Sequence, residues 1–386
     1  MWTQRLYGAR FLSALQQGLV LAVVAAVFYA LAHNASLNLK ALNIASGFGF
    51  LSDRAGYDIS FQLIDYSPAD SYGRAYWVGL LNTLLVSLIS IVLATLVGVL
   101  LGVGRVSENW LVNRLSYLSI EFLRNVPLVV HLIWWYGLML ALPGVRQSIS
   151  LFDIAFLNNG GLQVPWPDRG GLVGWGVVLM VLGALLAFGA FKARDARAQW
   201  RGFGPRRWPW VLACAVLLPA LVFMLSGAQL HWDVPARQGF GFHGGATLVP
   251  ELLALWLALS FYSASYIAET VRAAIQAVHR GQYEAAKALG FVRGTTMRQL
   301  IAPQALYSMI PQITNTYLNI VKNSSLGVVV GFMELVSSTG GTTLNQTGQA
   351  IECIALVMAT YCVISLVISL AMNFYNYRIS KRGHST

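Results

Sequence analysis

Long apolar runs alternate with shorter polar segments along the whole chain. A membrane-spanning helix needs about 20 mostly apolar residues, and about eight stretches of the sequence meet that requirement. Charged residues are rare within these stretches and frequent between them. The pattern predicts an all-α integral membrane protein with spans at 16–32, 77–103, 115–142, 171–191, 208–226, 250–279, 307–330 and 351–376.

The composition supports a membrane protein. Of the 386 residues, 56% are hydrophobic and 11% are charged, whereas a soluble domain has about 25% charged residues. The three cysteines lie inside apolar runs, which argues against a disulfide framework. The six histidines are scattered without metal-ligand spacing, so we expect neither a metal nor another cofactor.

The basic residues predict how the spans are oriented. The net charge is +11. If the N-terminus is cytoplasmic and the spans alternate, the cytoplasmic segments carry roughly three times as many Lys and Arg residues as the outer ones. We therefore expect cytoplasmic termini, a cytoplasmic segment 192–207, and outer segments 33–76, 143–170 and 227–249. The positive charge then contacts anionic membrane lipid and not nucleic acid. No small-residue cleavage site follows the first span, so it is expected to be an anchor and not a removed signal peptide.

Motifs for enzymatic chemistry are missing from the sequence. No lysine follows a glycine, so the chain lacks the phosphate-binding loop that ATP hydrolysis would need. It also lacks a Gly-x-Ser-x-Gly elbow and a His-Glu-x-x-His motif. We therefore expect that the chain is not an enzyme.

The segment 281–303, GQYEAAKALGFVRGTTMRQLIAP, has a distinctive pattern. Good helix formers precede Gly290, which occupies the position of a left-handed helix C-cap. Thr296 and Gln299 have the spacing of a capping box that opens a second short helix, and Pro303 predicts a further bend. The pattern indicates two short helices joined by a tight turn. An ordinary amphipathic connector is the alternative.

This segment resembles the EAA motif of permease subunits of bacterial ABC importers. In that family the loop docks on the ATPase subunit and couples ATP hydrolysis to movement of the spans. The residues that match the motif are Glu284, Ala285, Ala286, Gly290, Ile301, Ala302 and Pro303. The resemblance implies that Glu284, Ala285, Ala286, Gly290 and Pro303 couple the chain to an ATPase.

Further segments are similar to the amino-acid branch of that family, namely 79–107, 121–135, 257–290 and 318–335. The family has a core of about five spans. The resemblance implies a core that is divided between 77–142 and 250–386. An N-terminal span with an outer segment (1–76) and an insert with two extra spans (143–249) are added to it. This arrangement resembles the large permeases of general L-amino-acid systems.

The resemblance implies partners and a mechanism. The partners are a second permease subunit, two ATP-binding subunits and a periplasmic amino-acid-binding protein, assembled at the bacterial inner membrane. ATP would drive import of L-amino acids by alternating access. An ion-coupled secondary transporter is the alternative from a different class, and it predicts inverted repeats with broken helices and no docking loop.

Lys322 is the first candidate for contact with substrate, because an ionisable group inside a span is costly to bury. It could bind an α-carboxylate, with Asn323 and Ser325 as further polar groups. An ion pair or carbonyl contact that fixes helix packing is an equally open interpretation.

Glu269, Tyr262 and Tyr266 share one face of a predicted helix and could bind an α-ammonium group through charge and cation–π attraction. A salt bridge from Glu269 to Arg272 is the alternative. Glu269 lies about 27 Å along its helix from Glu251, which leaves open whether it reaches the same substrate as Lys322.

Two further features concern packing. Arg124 is three residues from Glu121, so the two side chains could pair and brace the bundle, and the Pro that follows at 127 should kink or break the helix. The motifs Gly98-x-x-x-Gly102 and Gly327-x-x-x-Gly331 predict close helix approach.

Overall fold

The structure, a computed structural model, describes residues 2–41, 47–167, 232–238 and 241–383. The predicted spans 171–191 and 208–226 and the segment 192–207 lie outside these residues. Contacts divide the chain into two units, one of Met1–Ile133 with Leu255–Thr386 and one of Trp134–Ala254.

Helices make up most of the described residues, as predicted. They are α1 Trp2–Ala41, α2 Tyr72–Arg105, α3 Trp110–Asn125, α4 Leu128–Leu140, α5 Pro250–Gln276, α6 Arg280–Ala288, α7 Arg293–Thr296, α8 Ala302–Asn323, α9 Leu344–Thr347 and α10 Ala350–Gly383. Shorter 3₁₀ segments lie at Phe48–Ser52, Val145–Gln147 and Ser324–Val330, and π-helical segments lie at Met297–Ile301 and Val336–Thr343.

Four of the described helices are long and apolar enough to cross a membrane, at Leu12–Leu31, Tyr72–Arg105, Pro250–Gln276 and Ala350–Phe374. They coincide with the predicted spans 16–32, 77–103, 250–279 and 351–376. The described part of the chain therefore supports four spans, or five if the pair of α3 and α4 crosses as one. The predicted number of eight is not confirmed.

The predicted span 115–142 is broken in the middle. Helices α3 and α4 meet at an angle of 103°. Two residues lie between them, and the first, Val126, has an extended backbone (φ −98°, ψ 128°). This conformation follows from Pro127, because the proline ring disfavours a helical backbone in the residue before it.

The structure of the predicted span 307–330 also differs from the continuous helix that was expected. Helix α8 ends at Asn323, and a 3₁₀ segment continues to Val330. Among the described helices, α8 is not one of those apolar enough for a span by composition, because amide and hydroxyl residues recur along it.

Short strands, which the sequence pattern did not predict, lie in the unit Trp134–Ala254. Strands β1 Ile149–Leu151, β2 Ala155–Asn158, β3 Gly161–Val164 and β8 Ala246–Leu248 form an antiparallel sheet in the order β1-β2-β3-β8. Two further pairs join β4 Trp166–Pro167 to β5 Trp232–Asp233 and β6 Ala236–Gln238 to β7 Gly241–His243. In the larger sheet Leu162 lies opposite Leu248, so residues distant in sequence are aligned.

Helices α2 and α5 approach closely at the predicted Gly98-x-x-x-Gly102 motif. A β-carbon at Gly98 would lie 2.7 Å from Ile267 Cβ, and one at Gly102 would lie 2.7 Å from Ala268 O. In the motif Gly327-x-x-x-Gly331, only the first glycine lies in a close contact. Gly327 is in contact with Leu255, but Gly331 faces open space and has a left-handed backbone with φ +81°.

Residues 47–71, which we call the cap segment, pack against residues 333–353. The Tyr57 hydroxyl lies 3.0 Å from Thr343 Oγ1, and Gly47 N donates to Glu352 Oε1 at 2.7 Å. Phe50, Ile59 and Tyr66 of the cap segment are buried in one cluster that also contains Cys353. Burial raises the pKa of the Tyr57 hydroxyl above its ordinary value.

Candidate functional site

The loop that matches the EAA motif begins with α6 and a left-handed turn. Gly290 has φ +77°, which confirms the predicted C-cap conformation. Phe291 N donates to Ala286 O and Gly290 N donates to Lys287 O, both at 3.0 Å. These two bonds form a Schellman motif, which satisfies carbonyls left free at the helix end.

The second half of the loop departs from the prediction. Helix α7 begins at Arg293, so Thr296 lies inside it and its N–H already bonds Val292 O at 3.0 Å. The predicted capping box of Thr296 and Gln299 is therefore wrong. Pro303 lies in the first turn of α8. In place of the predicted bend, the backbone passes through a π-helical segment at Met297–Ile301 and continues directly into α8.

One face of this loop is anchored and the other is exposed. Ala286 and Ile301 are buried, and Tyr283 packs against the cluster of buried residues that contains Ile301. The Tyr283 hydroxyl donates to Ile275 O at 3.4 Å, and burial raises its pKa. The exposed face carries Glu284 and Ala285 and, around Gly290, the apolar residues Leu289, Phe291 and Val292.

An ion pair connects this loop to the turn between α2 and α3. The Arg293 guanidinium contacts the Glu108 carboxylate. Both side chains are more than half exposed, and such pairs stabilise by about 0–1 kcal/mol. The pair therefore orients the start of α7 more than it stabilises the fold.

Lys322 lies at the end of α8 that is distant from this loop. Its side chain is exposed, and no hydrogen bond or ion pair joins it to the described residues. Asn323 is half-buried at the helix end, and Ser325 Oγ donates to Lys322 O at 2.8 Å. Within the described part of the chain, the lysine is thus an exposed cation without a counter-charge.

Glu269, Tyr262 and Tyr266 form a cluster on α5. The hydroxyls of Tyr262 and Tyr266 lie 3.0 Å apart. The alternative contact of Glu269 is present, because Arg272 Nε donates to both carboxylate oxygens at 3.1 and 3.0 Å. An incoming ammonium group would compete with Arg272 for this carboxylate.

Arg124 belongs to the same cluster, although no sequence pattern indicates this contact between helices. Its Cζ lies 5.7 Å from the centre of the Tyr266 ring, in cation–π range. Glu121, which was expected to pair with Arg124, accepts a hydrogen bond from Asn125 Nδ2 at 3.3 Å. The ring of His131 packs on Tyr262 with centroids 6.1 Å apart.

The two residues predicted to bind the charges of the substrate, Lys322 and Glu269, lie at different heights along the helices. Lys322 is 20 residues from Ala302, about 30 Å along α8, whereas Glu269 is 7 residues from Gln276, about 10 Å from the end of α5. The end of α5 and the segment that leads into α8 contribute to one buried cluster, which contains Ile275 and Ile301. Glu269 is therefore level with the first half of α8, and Lys322 is not.

Comparison with known proteins identifies the chain's relatives. Residues 94–383 match the family model described as binding-protein-dependent transport system inner membrane component. The putative amino-acid ABC transporter permease protein YhdX of Escherichia coli (strain K12) is 49% identical over 94% of this chain and 93% of its own length. The general L-amino acid transport system permease protein AapQ of Rhizobium johnstonii is 42% identical over 98% of this chain and 95% of its own length.

A solved structure, described as an amino acid ABC transporter with histidines, aligns with 80% of this chain and 95% of its own, at 20% identity and a TM-score of 0.47. The family model covers most of the chain, and the two relatives align along nearly all of it. The chain belongs to the family of inner membrane components of binding-protein-dependent transport systems.

Proposed function

We propose that this chain is the transmembrane permease subunit of an ATP-driven ABC importer that carries L-amino acids across the bacterial inner membrane. The observation that carries the proposal is its similarity, along nearly the whole chain, to relatives named as amino-acid permeases. The exposed EAA-type loop, anchored by buried residues on its other face, supports coupling to a separate ATPase. ATP hydrolysis then belongs to partner subunits.

The proposed assembly contains a second permease subunit, two ATP-binding subunits and a periplasmic amino-acid-binding protein. ATP binding closes the ATP-binding subunits, the loop 281–303 moves with them, and the spans open towards the periplasm. The residues proposed to make the contact are Glu284, Ala285, Ala286, Gly290 and Pro303. Both termini are cytoplasmic in this arrangement.

The substrate route in this proposal includes Lys322, which would bind the α-carboxylate, with Asn323 and Ser325 nearby. Its exposure and its lack of a partner in the described part of the chain support this role. At a second position along the route, after the substrate has passed Lys322, its α-ammonium group would bind to Glu269, Tyr262 and Tyr266.

Uptake by the purified complex in proteoliposomes tests the function. Binding protein and radiolabelled L-amino acids are supplied on one side, and ATP is supplied to the ATPases on the other. ATP-dependent accumulation supports the proposal. Accumulation that needs an ion gradient and no ATP would identify a secondary transporter instead.

Replacing Lys322 tests the route. We expect Lys322→Met to raise the substrate concentration for half-maximal uptake by about 10- to 100-fold, since a charge-assisted hydrogen bond contributes about 1.5–3 kcal/mol. Lys322→Arg should retain most of the affinity because it keeps the charge. If Lys322→Met lowers the yield of assembled complex but leaves the affinity of assembled complex unchanged, Lys322 is a packing residue.

A further inference from the structure

Helix α8 exposes a continuous line of polar side chains on one face. These residues, which we call the polar stripe, are Gln304, Ser308, Gln312, Asn315, Asn319 and Lys322, and all six are exposed. At about 100° per residue they lie within roughly 80° of arc around the helix. Away from this arc, Met309, Ile310, Ile320 and Val321 are buried in the protein.

The polar stripe is nearly as long as a membrane is thick. Gln304 and Lys322 are about 27 Å apart along the helix, and the hydrocarbon core of a bilayer is about 30 Å thick. The stripe begins next to the loop 281–303, one residue after Pro303, and ends at Lys322. It therefore connects the proposed ATPase contact with the proposed carboxylate contact.

Most polar groups of the stripe have no hydrogen-bond partner among the described residues. Ser308 Oγ donates to Ala305 O at 3.0 Å. The side-chain amides of Gln304, Gln312, Asn315 and Asn319 make no hydrogen bond with the described residues. In hydrocarbon each unpaired polar group costs several kcal/mol, so this face cannot lie against lipid tails.

Other exposed faces of the long helices are apolar. On α2 the exposed residues include Leu88 and Leu100, at 62% and 72% exposure, and on α10 they include Leu366 and Leu370, at 56% and 68%. Those faces suit lipid or an apolar protein surface. The face of α8 that carries the polar stripe requires water, a polar solute or polar protein.

We propose that the polar stripe is one wall of the water-filled route along which the substrate crosses the membrane. This inference rests on the proposed function and adds the residues of the polar stripe to its substrate route. Neutral amides both donate and accept hydrogen bonds, so they can exchange water for either the carboxylate or the ammonium group of an amino acid. With a single charge, at Lys322, the stripe binds the groups common to all amino acids and does not select the side chain.

Cysteine accessibility tests this assignment in the assembled complex. Single cysteines replace Asn315 and Asn319 in a chain from which Cys214, Cys353 and Cys362 have been removed, and the reaction rate with a charged, water-soluble methanethiosulfonate is measured. We expect rates at least about tenfold above those of Leu88→Cys and Leu100→Cys, because an apolar environment raises the thiol pKa and lowers the thiolate fraction. Ser308→Cys changes only one atom, so it provides the measurement if the asparagine variants do not assemble.

Rates no higher than those of the leucine controls would overturn the inference. So would protection of every stripe position with and without ATP, together with disulfide cross-linking to the second permease, because the stripe would then be a subunit interface. Fast labelling in a complex that imports no amino acid would contradict the proposed function but still support a water-filled route.

Discussion

The carboxylate of Glu334 is fully buried and joins separate parts of the chain. Its Oε1 accepts a hydrogen bond from Ser337 N at 2.8 Å. Its Oε2 accepts hydrogen bonds from Val336 N at 2.9 Å and from the Tyr361 hydroxyl at 3.2 Å. The side chain thus satisfies the first N–H groups of the π-helical segment Val336–Thr343 and links that segment to α10.

Replacing Glu334 should destabilise the protein in proportion to the donors left unpaired. Glu334→Gln turns one acceptor into a donor that faces a backbone N–H, and we expect a loss of about 1–3 kcal/mol. Glu334→Leu leaves both N–H groups and the tyrosine unpaired, so its loss should be larger. Thermal unfolding of the detergent-solubilised protein measures both, with Glu121→Gln as the control. Equal melting temperatures for all three variants would contradict this account.

At the residue scale, conformations and contacts set by neighbouring residues were predictable, and contacts between residues distant in sequence were not. The left-handed Gly290 followed from helix formers and a glycine next to each other, and the contact of Glu269 with Arg272 followed from their spacing on one helix. No sequence pattern indicated that Glu334 is buried and hydrogen-bonded, because its tyrosine partner lies 27 residues away. Arg124 was assigned to the wrong neighbour because its ring contact comes from another helix.

The loop 281–303 shows how one residue type determines the conformation of an element. A β-carbon at Gly290 would have no other atom within 4 Å, so steric crowding is not the reason for a glycine there. The positive φ of 77° requires it, since a β-carbon disfavours that conformation by about 1–2 kcal/mol. The orientation of Leu289 and Phe291, on either side of Gly290, depends on this turn.

Gly290→Val should weaken binding of the ATP-binding subunits because it distorts the turn. Glu284→Lys should weaken it by reversing an exposed charge on the same face. Co-purification of those subunits with the permease measures both, and membrane insertion should be unchanged. Gly294→Val is a matched control, because Gly294 also has open space but no positive φ. Equal loss in Gly290→Val and Gly294→Val would show that the left-handed turn is not the cause.

At the element scale, long periodic helices and proline breaks were predictable, and short strands were not. The break before Pro127 followed from the steric effect of proline on the preceding residue. The strands between residues 149 and 248 have two to four residues each, too short for alternation to be visible. The π-helical segment at Met297–Ile301 has no sequence signature of its own, and the capping-box pattern there was misleading.

For the whole molecule, the membrane orientation is the main expectation that labelling can test. Both termini and residues 192–207 should be cytoplasmic, and residues 33–76 should be periplasmic. In intact cells a membrane-impermeant thiol reagent should label Ser60→Cys and not Ala196→Cys until the cells are permeabilised. The native cysteines are removed beforehand. The reverse labelling pattern would invert the assigned topology.

The class of the protein was predictable from the whole sequence because hydrophobic length and charge asymmetry are summed over many residues. The contacts of the cap segment were not, because they pair residues far apart in the chain. The Tyr57 hydroxyl lies 3.0 Å from Thr343 Oγ1, across 286 positions. Such pairs depend on how the spans pack, and no local pattern specifies that packing.

The same long-range pairing has a consequence for biosynthesis. Gly47 and its acceptor Glu352 are 305 positions apart. At about 5–20 residues per second, the ribosome adds those residues in roughly 15–60 s. During that interval the cap segment has left the ribosome but its binding surface does not yet exist, so Phe50 and Ile59 stay accessible to chaperones and proteases. A nascent chain that stops before residue 333 lacks one side of this cluster, so resistance of residues 47–71 to protease should increase once translation has passed residue 353.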